Sequence, residues 1–227
     1  MKIADREIEI RRKPAVRNIT ITITHEGRVR VSAPQNAPES RIVQFVENKH
    51  RWIERKLGDA EWHAEYLDPT RRILFRGIPY DVRWLASDEV SPLVLFDSDS
   101  SVCTATTVSG SHDPALLSEV LARYALELRQ LAFDAAAARS VSINRVYLRN
   151  QRTRWGSSSS RMNLSLNWRL IMAPPPVASY LILHELAHQR IMNHSRDFWR
   201  LVRDWCPDFP EHDAWLRSHA FALTLFR

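Results

Sequence analysis

His184 and His188 flank Glu185-Leu186-Ala187, and a third histidine, His194, follows six residues later. On an α-helix, positions i and i+4 share one face, so the first two imidazoles can reach a single metal ion. Neutral imidazole nitrogens bind zinc at about 2.0–2.1 Å, and a catalytic zinc takes three protein ligands and leaves one position for water. A carboxylate beside the first histidine is placed to act as general base toward that water. The pattern predicts a zinc-dependent hydrolase, most simply a peptidase. Glu185 would take a proton from the water that attacks the scissile carbonyl and pass it to the leaving amine. Three groups compete for the third ligand position: His194 just past the expected helix end, Glu211 on a later helix, and His212 beside it. An oxyanion needs a further stabilising group, and Arg154, Tyr180 and Asn193 are suitable by type. Closed structural zinc sites are rich in cysteine, and none lies near these histidines.

These residues need elements to hold them. The metal helix is expected over about 177–193, opened by Pro174-Pro175-Pro176 and packed inward by Leu181, Leu183, Leu186 and Ala187. Asn193 can adopt the left-handed conformation that reverses a chain after a helix. Ser195 caps a following helix to about Trp205, with Phe198, Trp199 and Trp205 held against the metal helix, and Asp213 to about Leu225 forms the last. Upstream, Val141–Trp155 and Met162–Ile171 read as strands around a loop at Gly156–Ser160, with Trp155 and Trp168 facing the core. Asp113-Pro114 starts a long helix to about Arg139, with Leu117, Val120, Leu121, Tyr124, Leu128 and Leu131 as its buried stripe.

The first hundred residues read mostly as strand. Ile19–Thr24 alternates strictly, His25–Arg28 turns the chain, and Val29-Arg30-Val31 resumes the alternation as a hairpin. A helix is expected from Pro38 to about Leu57 with Ile42, Phe45, Val46, Trp52 and Ile53 on its apolar face. Further strands are expected at 72–76, 79–85, 92–97 and 101–107. His25, His50 and His63 lack ligand spacing and read as surface or core residues. No internal repeat is visible. The class is α+β: a β-rich, antiparallel N-terminal region with one helix over 1–110, and a catalytic core over 111–227.

The 227 residues can bury a substantial core. The formal charge is +6, carried by 28 Arg against 4 Lys. No Asp or Glu occurs from Ala135 to His184, a window holding Arg139, Arg145, Arg149, Arg152, Arg154, Arg161 and Arg169. A basic, acid-free segment beside the site favours an anionic substrate or a nucleic-acid partner, against the plainer reading of arginines facing water. Met1–Glu7 has none of the apolar run of a signal peptide, and no stretch reaches the roughly 20 apolar residues of a membrane span. Cys103 and Cys206 form no CxxC pair. Free thiols, a cytoplasmic location and no membrane partner are expected.

The ordered motifs extend well beyond the metal pattern. Arg30-Val31-Ser32-Ala33-Pro34, Lys49-His50-Arg51-Trp52-Ile53, Arg154-Trp155-Gly156-Ser157, Leu166-Asn167-Trp168-Arg169-Leu170, Ala173-Pro174, Asn193-His194-Ser195 and Phe198-Trp199 occur together. The chain resembles the YgjP-like metallopeptidases, relatives of the SprT and WLM zinc peptidases. The resemblance implies a minimal zincin core with added N-terminal strands. It also implies His184, His188 and His194 as zinc ligands, Glu185 as catalytic base and a polypeptide substrate. Arg154, Trp155, Tyr180 and Asn193 are the expected substrate-binding residues. Ser158 stands where the family usually has cysteine, and Ser179 where an acidic residue is expected. Two alternatives accompany the peptidase reading. One is a metal-dependent nucleoside triphosphate hydrolase, although the chain has no Gly-rich phosphate loop and no carboxylate cluster for two metals. The other is a protease acting on nucleic-acid-bound proteins. A peptide substrate is expected to add to a strand edge near Asn150–Gly156.

Overall fold

Alternating side chains organise the first sheet. In β4 (Val29–Pro34), Val29, Val31 and Ala33 are buried while Arg30, Ser32 and Pro34 are half-buried. Together with β1 (Lys2–Ile3), β2 (Arg6–Lys13) and β3 (Thr20–Ile23) it forms a sheet of order β1-β2-β4-β3, in which β2 and β4 run parallel and the other pairs antiparallel. The expected hairpin is β3–β4; its turn at His25–Gly27 lies outside the described residues, which are 2–3, 6–23, 28–66, 71–88, 94–108, 110–151 and 154–224 of this computed structural model. The helix expected from Pro38 is two, α1 (Glu39–Asn48) and α2 (His50–Tyr66), broken at Lys49. Ile42, Val46, Ile53 and Leu57 close over Ile8, Val29, Val31 and Ala33 as an apolar cluster of their own. His50 is exposed, with Glu54 4.0 Å away; His25 and the side chain of His63 lie outside the described residues.

The chain divides into two compact units, Met1–Tyr66 and Leu67–Arg227. The second opens with β5 (Arg72–Phe75), β6 (Ile78–Ala86), β7 (Val94–Asp97) and β8 (Val102–Thr107), in the order β5-β6-β8-β7. Then come α3 (Pro114–Tyr124) and α4 (Glu127–Ala137), separated at Ala125–Leu126 where one long helix was expected. Asp113 caps α3, its Oδ1 accepting from the Ala115 amide at 3.0 Å. Leu117, Leu121 and Leu128 are buried as expected, but Tyr124 and Leu131 are exposed.

Both units follow one plan, which the sequence conceals. The sheets share strand order and pairing sense. Ile8–Lys13 runs parallel to Val29–Pro34 as Asp81–Ala86 does to Val102–Thr107, and β3 and β7 pair antiparallel with β4 and β8. Each sheet is followed by a broken pair of helices. What they share is strand order and pairing sense.

Beyond the second copy lies a third sheet of β9 (Arg145–Arg149), β10 (Gly156–Ser158) and β11 (Asn163–Asn167), in the order β10-β11-β9. Gly156–Ser158 is therefore an edge strand, not a loop. The serines lack strand propensity, but antiparallel pairing to Leu164–Leu166 holds them extended. Residues 168–172 are a 3-10 helix rather than a continuing strand, begun by Asn167, whose Oδ1 accepts from the Arg169 amide. The metal helix is α5 (Pro175–Ala187), followed by α6 (Arg196–Trp205) and α7 (Phe209–Thr224). Val177, Leu181, Ile182, Leu183 and Leu186 bury α5 all round, so it is the central element, packed by α4, α6, α7 and β10. The β5–β6 turn fixes its start. Arg76 and Gly77 have φ of 51° and 81°, the conformation of a tight two-residue hairpin turn. Their amides donate to Ile171 and Met172 carbonyls at 3.0 and 2.8 Å.

Candidate metal centre and active site

α5 ends six residues earlier than the spacing predicts. After Ala187 the helix tightens: Gln189 and Arg190 donate to Leu186 and Ala187, bonds one residue shorter than those of an α-helix. His188 keeps helical dihedrals at the end of α5, so the i, i+4 relation with His184 survives. The connection then brings His194 back. His184 Nε2 and His194 Nε2 are 3.1 Å apart, and one ring nitrogen from each of His184, His188 and His194 lies within 4.8 Å of the others. Two nitrogens on a tetrahedral zinc at about 2.05 Å stand about 3.3 Å apart, so the first pair already has ligand spacing, and the soft χ2 of histidine can adjust the third. His188 Nδ1 lies 3.1 Å from the Ile191 carbonyl oxygen. Donation there leaves Nε2 with the free lone pair a metal requires. Burial pushes His184 down to about 4, with His188 and His194 adding repulsion, and burial also lowers His188. Neutral imidazoles are the ligating form. His194 is exposed, so the group opens to solvent on its side.

Helix α6 holds these rings. Ser195 Oγ accepts from the Phe198 amide and fixes the start of the helix. Phe198, fully buried, has its ring 4.4–5.0 Å from those of all three histidines, stacked on His188. Trp199 stacks on His194 at 5.6 Å.

Glu185, next to His184 on α5, points toward β10. It is 6% exposed, and burial raises its carboxyl to about 7, with the nearby Arg154 guanidinium pulling the other way. Gly156 makes room for it: a Cβ there would sit 2.6 Å from Glu185 Oε1. The register explains why. Gly156 and Ser158 pair with Leu166 and Leu164, both fully buried, so these two positions of β10 face inward to α5.

The other expected site residues scatter in role. Arg154 is exposed and acts electrostatically on Glu185. Trp155 is half-buried against the core, and its carbonyl accepts from the Asn167 amide at 2.7 Å. Tyr180 is buried with its ring 6.0 Å from His184, but its hydroxyl donates to Asp213 Oδ1 at 3.5 Å, and burial, with the Asp213 charge beside it, pushes its pKa well above the usual tyrosine value. Asn193 is not left-handed; its Oδ1 accepts from the Ser195 amide at 3.3 Å, making a side-chain turn instead. Neither Glu211 nor His212 belongs to the three-histidine group, the one such group among the described residues. Two residues with no role in the sequence reading shape the site. Asn167 Nδ2 donates to the Gln151 and Arg154 carbonyls, tying down the segment before β10. Gln189 Nε2 donates to Ser158 Oγ and to the Ser159 carbonyl. Asn167 lies within a quoted motif; for Gln189 adjacency to His188 was the only signal.

A profile of the YgjP-like metallopeptidase domain matches residues 17–219. The chain belongs to the YgjP-like metallopeptidase family. No curated protein and no solved structure gives a match. Family membership carries metal-dependent peptidase activity in general terms, a metal ion as cofactor and polypeptide as substrate, and does not favour nucleotide hydrolysis. No helix among the described residues is long and apolar enough to cross a membrane.

Proposed function

We propose that this YgjP-like chain is a zinc-dependent metallopeptidase with His184, His188 and His194 as ligands and Glu185 as general base. The convergence of three imidazoles beside a desolvated carboxylate carries this reading. Zinc held there would supply Lewis acidity toward the scissile carbonyl and make water easier to deprotonate. Glu185 takes the proton of the attacking water and delivers it to the leaving amine. Its burial keeps its proton affinity close to neutral, which suits both transfers. Arg154 is the cation nearest in effect to Glu185 and is our choice among Arg154, Tyr180 and Asn193 for the developing oxyanion, since it carries the positive charge and the Tyr180 hydroxyl is already engaged with Asp213. Trp155 holds the segment between Arg154 and β10. The substrate backbone adds to the free edge of β10, which shifts the expected docking segment to Gly156–Ser158. The catalytic core is residues 111–227, which contain every group used. A cytoplasmic location belongs to the same proposal, and the free thiols Cys103 and Cys206 suit a reducing compartment.

Metal analysis and peptide cleavage test this together. Wild type should bind about one zinc per chain, His188→Ala should lose it, and Glu185→Gln should keep it while losing cleavage. Full cleavage by Glu185→Gln would remove Glu185 from the chemistry.

A nucleic-acid partner is a second proposal. Arg145, Tyr147 and Arg149 share the outward face of β9, with the Arg149 guanidinium 4.9 Å over the Tyr147 ring. Among the described residues Arg145, Arg149 and Arg161 have no ion-pair partner, Arg154 acts on Glu185, and Arg152 lies outside the described residues. Salt-dependent DNA affinity, weakened by neutralising Arg149, Arg152 and Arg154 together, is the expected result. Unchanged binding would exclude this surface.

A further inference from the structure

We propose that Gln189 is a positioning residue that clasps the edge strand β10 to the turn carrying His188. The catalytic part of this inference rests on the peptidase reading above. The two inward positions of β10 divide the work. Gly156 lies against the Glu185 carboxylate, and two residues on, the Ser158 hydroxyl accepts from Gln189 Nε2. The same amide nitrogen donates to the Ser159 carbonyl at 3.2 Å, so both amide hydrogens are spent on one three-residue strand and its exit. Gln189 is itself fixed, its backbone amide donating to Leu186 at 2.9 Å in the tightened end of α5. On its other flank β10 has only β11, because it is the sheet edge. A strand of three residues paired on one side is a weak element. The Gln189 clasp links it to the helix that supplies His184, Glu185 and His188. Its effect is to hold the wall behind Glu185, and the edge offered to substrate, at a fixed distance from the metal ligands.

Gln189→Ala removes both bonds and Ser158→Ala removes one. In metal-free protein, amide exchange at Ser157 and Ser159, whose amides face β11, should quicken about ten- to a hundredfold in Gln189→Ala and less in Ser158→Ala. Exchange in α5 and α6 should stay as in wild type. Zinc content should remain that of wild type, while kcat/KM falls about tenfold or more in Gln189→Ala. The double variant should lose little beyond Gln189→Ala, since both act through one contact. Unchanged exchange at β10 in Gln189→Ala overturns the clasp. Faster exchange with unchanged kcat/KM overturns its positioning role. Should Gln189→Ala not fold, Ser158→Ala gives the same two readouts. If wild type cleaves no polypeptide, the peptidase reading fails, while the exchange measurement still decides the clasp.

Discussion

Gly156→Ala is the sharpest perturbation of the site. An added Cβ would lie 2.6 Å from Glu185 Oε1, 2.7 Å from Cγ and 2.9 Å from Cδ. Ordinary non-bonded contact is about 3.5 Å, so the carboxylate must retreat by about 0.9 Å or β10 must lift away. Glu185 is buried, so neither movement is free. Overpacking of this kind costs about 1–3 kcal/mol of stability. A misplacement near 1 Å at a reacting group costs about a hundredfold in rate. The variant should therefore fold, bind zinc as wild type does, and cleave an unstructured polypeptide with kcat/KM reduced about a hundredfold, equivalent to about 2.7 kcal/mol of transition-state stabilisation. Steady-state cleavage measured alongside zinc content separates this loss from loss of metal. Gly58→Ala is the control, because nothing lies within 4 Å of its Cβ position. A zinc-loaded Gly156→Ala protein with wild-type kcat/KM would show that the placement of Glu185 against β10 is irrelevant to the reaction.

Three further outcomes follow from the same geometry. Burial raises the folded pKa of Glu185 from 4.5 to about 7, so its contribution to stability is complete below about 4.5 and is lost as pH rises through 7. Between pH 5 and pH 8 the metal-free wild type should lose about 2–3 kcal/mol relative to metal-free Glu185→Gln; parallel urea-unfolding profiles would contradict this. His194→Ala should lose zinc and Glu211→Ala should retain it, and the opposite result in metal analysis would transfer the third ligand to Glu211. Gly77→Ala places a Cβ 2.5 Å from Pro174 Cγ at a φ of 81°, and should lower stability by about 2–4 kcal/mol; a wild-type denaturation midpoint would refute the view that this turn anchors the start of α5.

The three-histidine group was legible because its arrangement is mostly local. Helical spacing places His184 with His188, and a short return suffices for His194. The α+β class was legible from alternation in β3, β4 and β5–β8. What escaped the sequence depends on partners distant in the chain. Gly156–Ser158 is a strand only because Leu164–Leu166 pairs with it. The breaks at Lys49 and at Ala125–Leu126 contain neither glycine nor proline, so no local signal marks them. The end of α5 is set by three-residue bonds at Gln189 and Arg190, which spacing rules do not anticipate. Gln189 itself has an ordinary helix-surface character, and only the position of Ser158 gives it a task.

The shared plan of the two units has a consequence for how this chain can vary. One member of the tandem is followed by α3, which packs on the 3-10 helix 168–172, and by α4, which packs on the histidine-bearing helix. The other, with Ile8, Val31, Ile42 and Ile53 at its centre, supplies none of the groups in the proposed chemistry. Its surface is thus released from the demands of hydrolysis. Substitution there is therefore expected to leave the three-histidine group itself unchanged.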